Sequence, residues 1–198
     1  MKALVRKRGY SLEMRIYLKD VALNCNIQNY HCLFTRPLGE SVRRKTIEMF
    51  EDYFKSGEKV ILDCSEIEDM SPSFLEQFFL SEDGLIRHLI KKNVVLILDN
   101  VCEDLEHSIR TSFIGVEGKN SIIIIKDNEY HLISYKDEKQ VKTFEVVKKA
   151  PITARELADL EGIEINSASN RLYRLYKNGL AFRSEKVESD GKSYLYYL

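Results

Sequence analysis

The sequence lacks a dominant sign of charge, a long apolar run and an export signal. Its 30 Lys/Arg and 31 Asp/Glu residues give a formal net charge of −1, so the whole chain has no general attraction to nucleic acid or to a membrane surface. The aliphatic run at residues 121–125 is only as long as a strand. Residues 1–8 are too polar to form the apolar core of a signal peptide. We therefore expect a cytoplasmic protein without a membrane partner.

The common motifs of catalysis and metal binding are also missing. The sequence contains no Gly-x-Ser-x-Gly, no His-Glu-x-x-His and no phosphate-binding glycine loop. No two of its cysteines form a close pair with metal-site spacing; they are Cys25, Cys32, Cys64 and Cys102. Cys64 ends an apolar strand, where a thiol acts as a small hydrophobic side chain. We expect reduced thiols, no metal, no cofactor and no catalytic residues, and hence a protein that is not an enzyme.

Strand-like and helix-like segments alternate through the first two thirds of the chain. The strand patterns lie at residues 12–18, 30–35, 59–64 and 94–99. The helix patterns lie at residues 39–56, from 71 onward and around 105–113. This order predicts an α/β domain with parallel strands, and residues 115–120, which include two glycines, form the best boundary. We assign residues 1–117 to the α/β domain, 118–135 to a β-hairpin connector and 136–198 to a second, α+β domain.

The second domain contains a well-marked short helix. Thr153, followed three residues later by Glu156, is a capping box, so a helix begins there. Leu157 and Leu160 are expected to point the same way, because they are spaced i, i+3. Gly162 ends it.

A further helix follows after a three-residue turn. Asn166 is expected to cap it, and it runs over residues 167–177 to a stop at Asn178-Gly179. Its predicted buried stripe consists of Ala168, Leu172 and Leu175. Strand patterns at residues 179–183 and 193–198 then flank a tight-turn signal at Asp190-Gly191.

This order of helix, tight turn, helix and terminal ribbon resembles a winged helix-turn-helix domain, with residues 166–177 as the recognition helix. The resemblance covers residues 143–198 and implies double-stranded DNA as a partner. The DNA contacts that it implies are Asn166, Ser167, Ser169, Asn170, Arg171, Tyr173, Arg174, Lys177, Lys186 and Lys192. Winged helices also dock proteins, so a protein partner stays open.

Local charge favours the DNA interpretation. Residues 143–198 carry nine Lys/Arg and eight Asp/Glu, so this part of the chain is nearly neutral. The cations on the predicted recognition helix and wing are Arg171, Arg174, Lys177, Arg183, Lys186 and Lys192. The acids on the preceding helix and turn are Glu156, Asp159, Glu161 and Glu164. A local basic face on a neutral domain is sufficient for phosphate contacts.

Three segments of the first domain carry a second resemblance: residues 34–39 (FTRPLG), 60–67 (VILDCSEI) and 70–78 (MSPSFLEQF). They are similar to the STAS fold of anti-sigma-factor antagonists and transporter tails, in a divergent group found in bacterial and archaeal genomes. The resemblance covers about residues 12–113 and implies a domain that binds a signal or a partner. In the antagonists, a serine in an Asp-Ser-Ser-Gly turn at a helix start is phosphorylated and switches partners. Ser71 and Ser73 occupy the equivalent place here.

Two interpretations of these serines stay open. A helix start at Ser71-Pro72 combines a serine cap with proline in the first turn, so the serines can be purely structural, which we favour. Alternatively, the helix N-terminus accepts a phosphate or another anion at Ser71 or Ser73.

Acidic residues follow the parallel strands, where α/β proteins bind ligands. They are Asp63, Asp69 and Asp99. Carboxylates at such an edge can hold Mg²⁺. We expect them instead to serve in turns and caps, because no phosphate-binding glycine loop accompanies them.

Together these patterns predict a prokaryotic DNA-binding transcriptional regulator whose STAS-like domain binds an unknown protein or small-molecule signal. The alternative is a protein-interaction module of a partner-switching pathway, in which the winged helix docks protein. We also expect a homodimer, because specific DNA sites usually combine two half-sites. The apolar hairpin at residues 122–133 supplies the dimer contact unless it packs into the core.

Overall fold

Aliphatic runs in the first two thirds of the chain form the centre of a mixed sheet in a computed structural model of the protein. The structure describes residues 4–8, 11–115, 121–134, 137–188 and 191–198, and only the backbone of residues 4–8, 11–12, 114–115, 187–188 and 191–192. The chain forms two compact units, Met1–Tyr135 and Lys136–Leu198. Helices and strands mix in both units, which confirms the expected mixed α/β class.

The strands of the first unit are β1 (Leu4–Arg8), β2 (Ser11–Tyr17), β3 (Cys32–Leu33), β4 (Lys59–Asp63), β5 (Asp69–Met70), β6 (Val95–Asp99), β7 (Ser121–Lys126) and β8 (Glu129–Ser134). The main sheet has the order β1-β2-β4-β6-β7-β8. β2, β4, β6 and β7 run parallel, whereas β1 and β8 pair antiparallel at the edges. Strands buried on both faces need continuous apolar runs, which β4 and β6 provide. β3 and β5 form a separate parallel pair.

The helices of the first unit are α1 (Leu18–Asn24), α2 (Arg36–Phe50), α3 (Pro72–Leu75), α4 (Leu85–Lys91) and α5 (Glu103–Gly115). A 3₁₀ turn, Glu51–Tyr53, follows α2, and a π-helical turn, Glu76–Leu80, continues α3. The sequence pattern predicts neither α1 nor α4, because seven residues hold only two turns of periodicity. α2 begins before the expected Gly39, with proline in its first turn.

The expected connector hairpin belongs to the first unit instead of linking the two. β7 and β8 pair through Asp127-Asn128, both in the left-handed region with φ of 53° and 62°, as expected for a hairpin turn. Ile122, Ile124 and Ile133 are buried in the core of this unit. These side chains are therefore used in the core, which is the alternative that the sequence left open for the hairpin. Of the expected boundary at residues 115–120, residues 116–120 lie outside the described part of the chain.

The second unit places three helices against a small sheet. Its elements are α6 (Glu138–Lys149), β9 (Ile152–Thr153), α7 (Ala154–Glu161), α8 (Ile165–Lys177), β10 (Phe182–Glu188) and β11 (Gly191–Tyr197). The sheet order is β10-β11-β9. β10 and β11 are paired over their whole length, from Phe182 opposite Tyr197 to Glu188 opposite Gly191. Asp190 of the predicted tight turn lies outside the described residues.

The local signals around α7 are confirmed with one exception. The side chains and main-chain amides of Thr153 and Glu156 form the capping box, and Gly162 ends the helix with φ of +64°. Leu157 is buried, but Leu160 is 66% exposed, so the two leucines that were expected to point the same way do not share one environment. Ala158 is the buried neighbour of Leu157, and it lies on the opposite side of Leu157 from Leu160.

α8 begins one residue before the position where a cap was expected. Glu164 occupies the N-cap and Asn166 lies inside the first turn, so the predicted capping role of Asn166 is wrong. The end of the helix at Asn178-Gly179 is confirmed, with Gly179 at φ of +68°. Among the helices within the described residues, none is both long and apolar enough to cross a bilayer.

We predict that Gly39→Ala lowers the free energy of unfolding by about 1–3 kcal/mol, as overpacking does. A Cβ at position 39 would lie 2.8 Å from the main-chain oxygen of Phe74, which cannot swing aside, so α2 and α3 would have to separate. Chemical denaturation measures the loss. Glu40→Ala, at the adjacent exposed position of α2, is the control and should change stability by less than about 0.5 kcal/mol. Equal stabilities of the Gly39 variant and the wild type would contradict the close approach of the two helices.

Candidate nucleic-acid interface

One stripe of α8 is buried and the opposite stripe faces solvent. Ala168, Leu172 and Leu175 are fully buried, as the spacing predicts. The exposed residues along the helix are Ile165, Asn166, Asn170, Tyr173, Arg174 and Lys177. Their spacing of three or four residues aligns them on one face. We call the polar members of this set, from Asn166 to Lys177, the α8 stripe. It combines amide, phenol and cationic groups, which can hydrogen-bond to base edges and phosphates.

Two arginines of α8 already bind carboxylates of the same unit. Arg171 donates from Nη1 to Glu161 Oε2 at 2.6 Å, and both side chains are about one-fifth exposed. This pair ties α8 to the end of α7. Arg174 Nη1 lies 3.0 Å from Asp137 Oδ2, but its side chain is 56% exposed. Arg174 is therefore able to exchange its partner, whereas Arg171 is committed to helix packing.

The remaining predicted contacts are divided between the helix and the hairpin. Ser167 and Ser169 are half-buried beside the α8 stripe. Lys186 is exposed on β10 of the hairpin and is not part of α8. Hydrogen bonds from Thr153 lower the pKa of Glu156, and the positive charge of Lys186 adds to this shift, so Lys186 lies near the start of α7. For Lys192 the side chain lies outside the described residues.

A cluster of tyrosines surrounds Arg183, which is absent from the predicted contacts. The guanidinium carbon lies 4.3 Å from the ring centroid of Tyr194, 4.6 Å from Tyr176 and 5.4 Å from Tyr173. Tyr196 is the direct cross-strand neighbour of Arg183. We call the four tyrosines, Tyr173, Tyr176, Tyr194 and Tyr196, the tyrosine cluster. Each cation–π contact contributes about 0.5–1 kcal/mol at an exposed site. Two sequence signals point to this cluster. Tyr194 and Tyr196 alternate along one strand, and Tyr173 and Tyr176 are spaced i, i+3 on one helix.

Ser71 and Ser73 lie together at the start of α3. Ser71 Oγ accepts a hydrogen bond from the amide of Phe74 at 3.2 Å, which confirms the predicted cap. The two serine hydroxyl oxygens are 3.0 Å apart. Ser71 also donates its amide to the carbonyl of Leu33 at 3.0 Å. Both residues are half-buried.

The acids at the strand ends are engaged by donors of the first unit. Arg15 Nη1 donates to Asp63 Oδ2 at 2.5 Å and to Asp99 Oδ2 at 2.7 Å. Asn100 Nδ2 donates to both oxygens of Asp63 at 3.0 Å. Asp69 lies in the small sheet and accepts the hydroxyl of Ser108 and the amide of Met70. Within the described residues, no cluster of three or more His, Cys, Asp or Glu side chains is arranged around a metal position.

Burial and hydrogen bonding act in opposite directions on Asp63. Burial alone raises the pKa of its carboxyl, but hydrogen bonds from Asn100, Ser65 and Arg15 outweigh it, and the net pKa is lowered. The pKa of Arg15 is raised, because its bonds to Asp99 and Asp63 outweigh the effect of burial. The ion pair is therefore fully charged near neutral pH.

All four cysteines are free thiols. Cys64 is completely buried among apolar residues, as predicted for a small hydrophobic side chain, and burial raises the pKa of its thiol. A buried protonated thiol is a poor nucleophile. Cys64 therefore acts in packing.

Comparison of the chain with protein-family models, with curated proteins and with solved structures gave no significant match.

We predict that the stability conferred by Asp63 is lost in acid. A carboxyl group whose pKa is lowered by folding stabilises the fold above its unfolded pKa, near 3.8, and loses this contribution as pH falls through the folded pKa. Asp63→Asn should cost about 2–3 kcal/mol at pH 7, less than the roughly 3–5 kcal/mol of a fully broken buried pair, because Arg15 keeps its bond to Asp99. The difference from wild type should shrink steadily below pH 4. Urea denaturation from pH 7 to pH 2 measures it, and a difference that is independent of pH would contradict the charged pair.

Proposed function

We propose that the chain is a DNA-binding transcriptional regulator, in which the second unit is a winged helix-turn-helix domain and the α8 stripe enters the major groove. The observation that carries this proposal is the alignment of Asn170, Tyr173, Arg174 and Lys177 on the exposed face of a helix whose other face is buried. Asparagine and arginine form two-point hydrogen bonds with adenine and guanine edges. A β-hairpin follows the helix, in the position of a wing.

The ion pair of Arg174 does not oppose this use. An exposed ion pair contributes only about 0.2–1 kcal/mol, so a phosphate or a guanine edge can replace Asp137 at small cost. Arg171 is tied to Glu161 and is better assigned to the support of the helix. We propose further that two copies of the chain bind two half-sites, as specific sites usually require.

For the first unit we propose a STAS-like domain that binds a protein or small-molecule signal. Its support is the helix start at Ser71 and Ser73, where two half-buried serines hold their hydroxyl oxygens 3.0 Å apart. The positive end of the helix dipole favours a negative charge in a first helical turn. A phosphate on Ser73 would lie in that turn and add negative charge there.

A second candidate function has its own observation. Leu160 and Ile165 are 66% and 49% exposed on the two sides of the turn between α7 and α8. Exposed apolar side chains that flank one turn favour a protein partner. The alternative is therefore a protein-interaction module that docks through this turn, with Leu160 and Ile165 as its apolar contacts.

We predict that Asn170→Ala and Arg174→Ala each weaken binding to a cognate duplex by about 1–3 kcal/mol, or roughly 5- to 150-fold. Selection of binding sequences from a random duplex library with the full chain provides the duplex. Fluorescence anisotropy at fixed salt then gives the affinities, and its stoichiometry gives the number of chains bound to each site.

Lys142→Ala is the matched control, because Lys142 is an exposed cation of α6 in the same unit and lies outside the α8 stripe. It should bind like wild type. If the wild type enriches no duplex sequence, or if both stripe variants bind as well as wild type, the DNA proposal is wrong and docking through Leu160 and Ile165 becomes the better candidate.

We predict that Ser73→Asp leaves the melting temperature nearly unchanged, because the new charge lies in the first turn of α3. Ser71→Ala should instead lower the free energy of unfolding by about 1 kcal/mol, because it removes the cap of the Phe74 amide. Thermal unfolding followed by circular dichroism separates the two. If Ser73→Asp unfolds the first unit, a phosphate cannot be accommodated there and the switching role fails.

A further inference from the structure

Arg183 ties the hairpin of the second unit to its last helix. We infer that Arg183 is a positioning residue, whose guanidinium fixes the β10–β11 hairpin against α8 so that helix and hairpin meet one partner as a single surface. That this partner is duplex DNA rests on the proposed function. The contact between the hairpin and α8 does not depend on the identity of the partner.

Arg183 on β10 brings side chains of α8 and β11 together. Tyr176 lies on α8 and Tyr194 on β11, and their ring centroids are 4.6 Å and 4.3 Å from the guanidinium carbon of Arg183. Tyr173, also on α8, lies at 5.4 Å. One side chain therefore contacts a helix and the neighbouring strand at the same time. Movement of the hairpin relative to α8 would break the contacts of Arg183 with Tyr173 and Tyr176.

A fourth tyrosine lies beside Arg183 within the sheet. Tyr196 is the cross-strand partner of Arg183 across β10 and β11, and it is almost completely buried. Burial raises the pKa of the Tyr196 hydroxyl, and the nearby guanidinium of Arg183 opposes that shift. Arg183 therefore has tyrosine neighbours on both α8 and β11.

Burial and the number of ring contacts distinguish Arg183 from the cations that reach solvent. Arg174 and Lys177 are exposed on the α8 stripe, although Lys177 Nζ also lies 5.4 Å from the ring centroid of Tyr173. Arg183 is half-buried and contacts three rings. A planar guanidinium can stack on aromatic faces and donate from its edge, but a lysine ammonium is a compact point charge and cannot do both. Lysine at position 183 would therefore keep the charge and lose the positioning.

The test compares the wild-type full chain with Arg183→Lys and Arg183→Met. Amide hydrogen exchange of the free protein reports on the hairpin, and both variants should speed exchange in β10 and β11 by at least about fivefold, with unchanged exchange in β4 and β6. The chain has no tryptophan and 11 tyrosines, so near-ultraviolet circular dichroism should also change in both.

Binding to the selected duplex should weaken by a similar factor in both variants. Ser184→Ala, at the adjacent exposed position of β10, is the control.

A direct phosphate contact gives a different result. In that case Arg183→Lys would bind like wild type, and Arg183→Met would reduce the slope of log affinity against log salt by about 0.9. Either this pattern or unchanged hairpin exchange in both variants would overturn the positioning role. If the wild type binds no duplex at all, the proposed function fails, and hydrogen exchange alone decides the role of Arg183.

Discussion

Burial of one apolar stripe on α8 is the constraint on which the second unit depends. Ala168, Leu172 and Leu175 have no exposed surface, so the rotation of the helix about its axis is fixed. The opposite face of the helix is then exposed to solvent, and Asn170 and Arg174 lie on it. The left-handed Gly162 makes the tight turn that sets α8 against α7, and the bond between Glu161 and Arg171 supports the same packing. The proposed interface is therefore a consequence of the core.

In the first unit, burial of parallel strands has a similar consequence at their carboxyl ends. β4 is buried along its whole length, and Asp63 at its end cannot remain charged without partners. Arg15 and Asn100 provide them from neighbouring positions of the sheet. In many α/β proteins this edge binds a ligand. Here its carboxylates hold an arginine of the same chain, so they contribute to the stability of the sheet.

Features that arise within a few residues could be predicted from the sequence. The capping box at Thr153, the serine cap at Ser71 and the buried stripe of α8 depend on local spacing, and all three are confirmed. Leu160 was misplaced because α7 has only eight residues, and so short a helix does not show which side of Leu157 is buried. Contacts between distant residues could not be predicted. Arg15 and Asp63 are 48 positions apart, and no local pattern in the sequence connects them.

Ion pairs and ring contacts within the second unit explain how this nearly neutral unit could present cations without attracting every polyanion. Arg171 binds Glu161, Arg174 lies beside Asp137, and Arg183 is held among tyrosines. Each such partner weakens the long-range field that would attract any polyanion. Phosphate contacts alone provide affinity without sequence information. An interface of this kind would therefore depend on hydrogen bonds from Asn170 and Arg174 to base edges, and these are the contacts that distinguish one sequence from another.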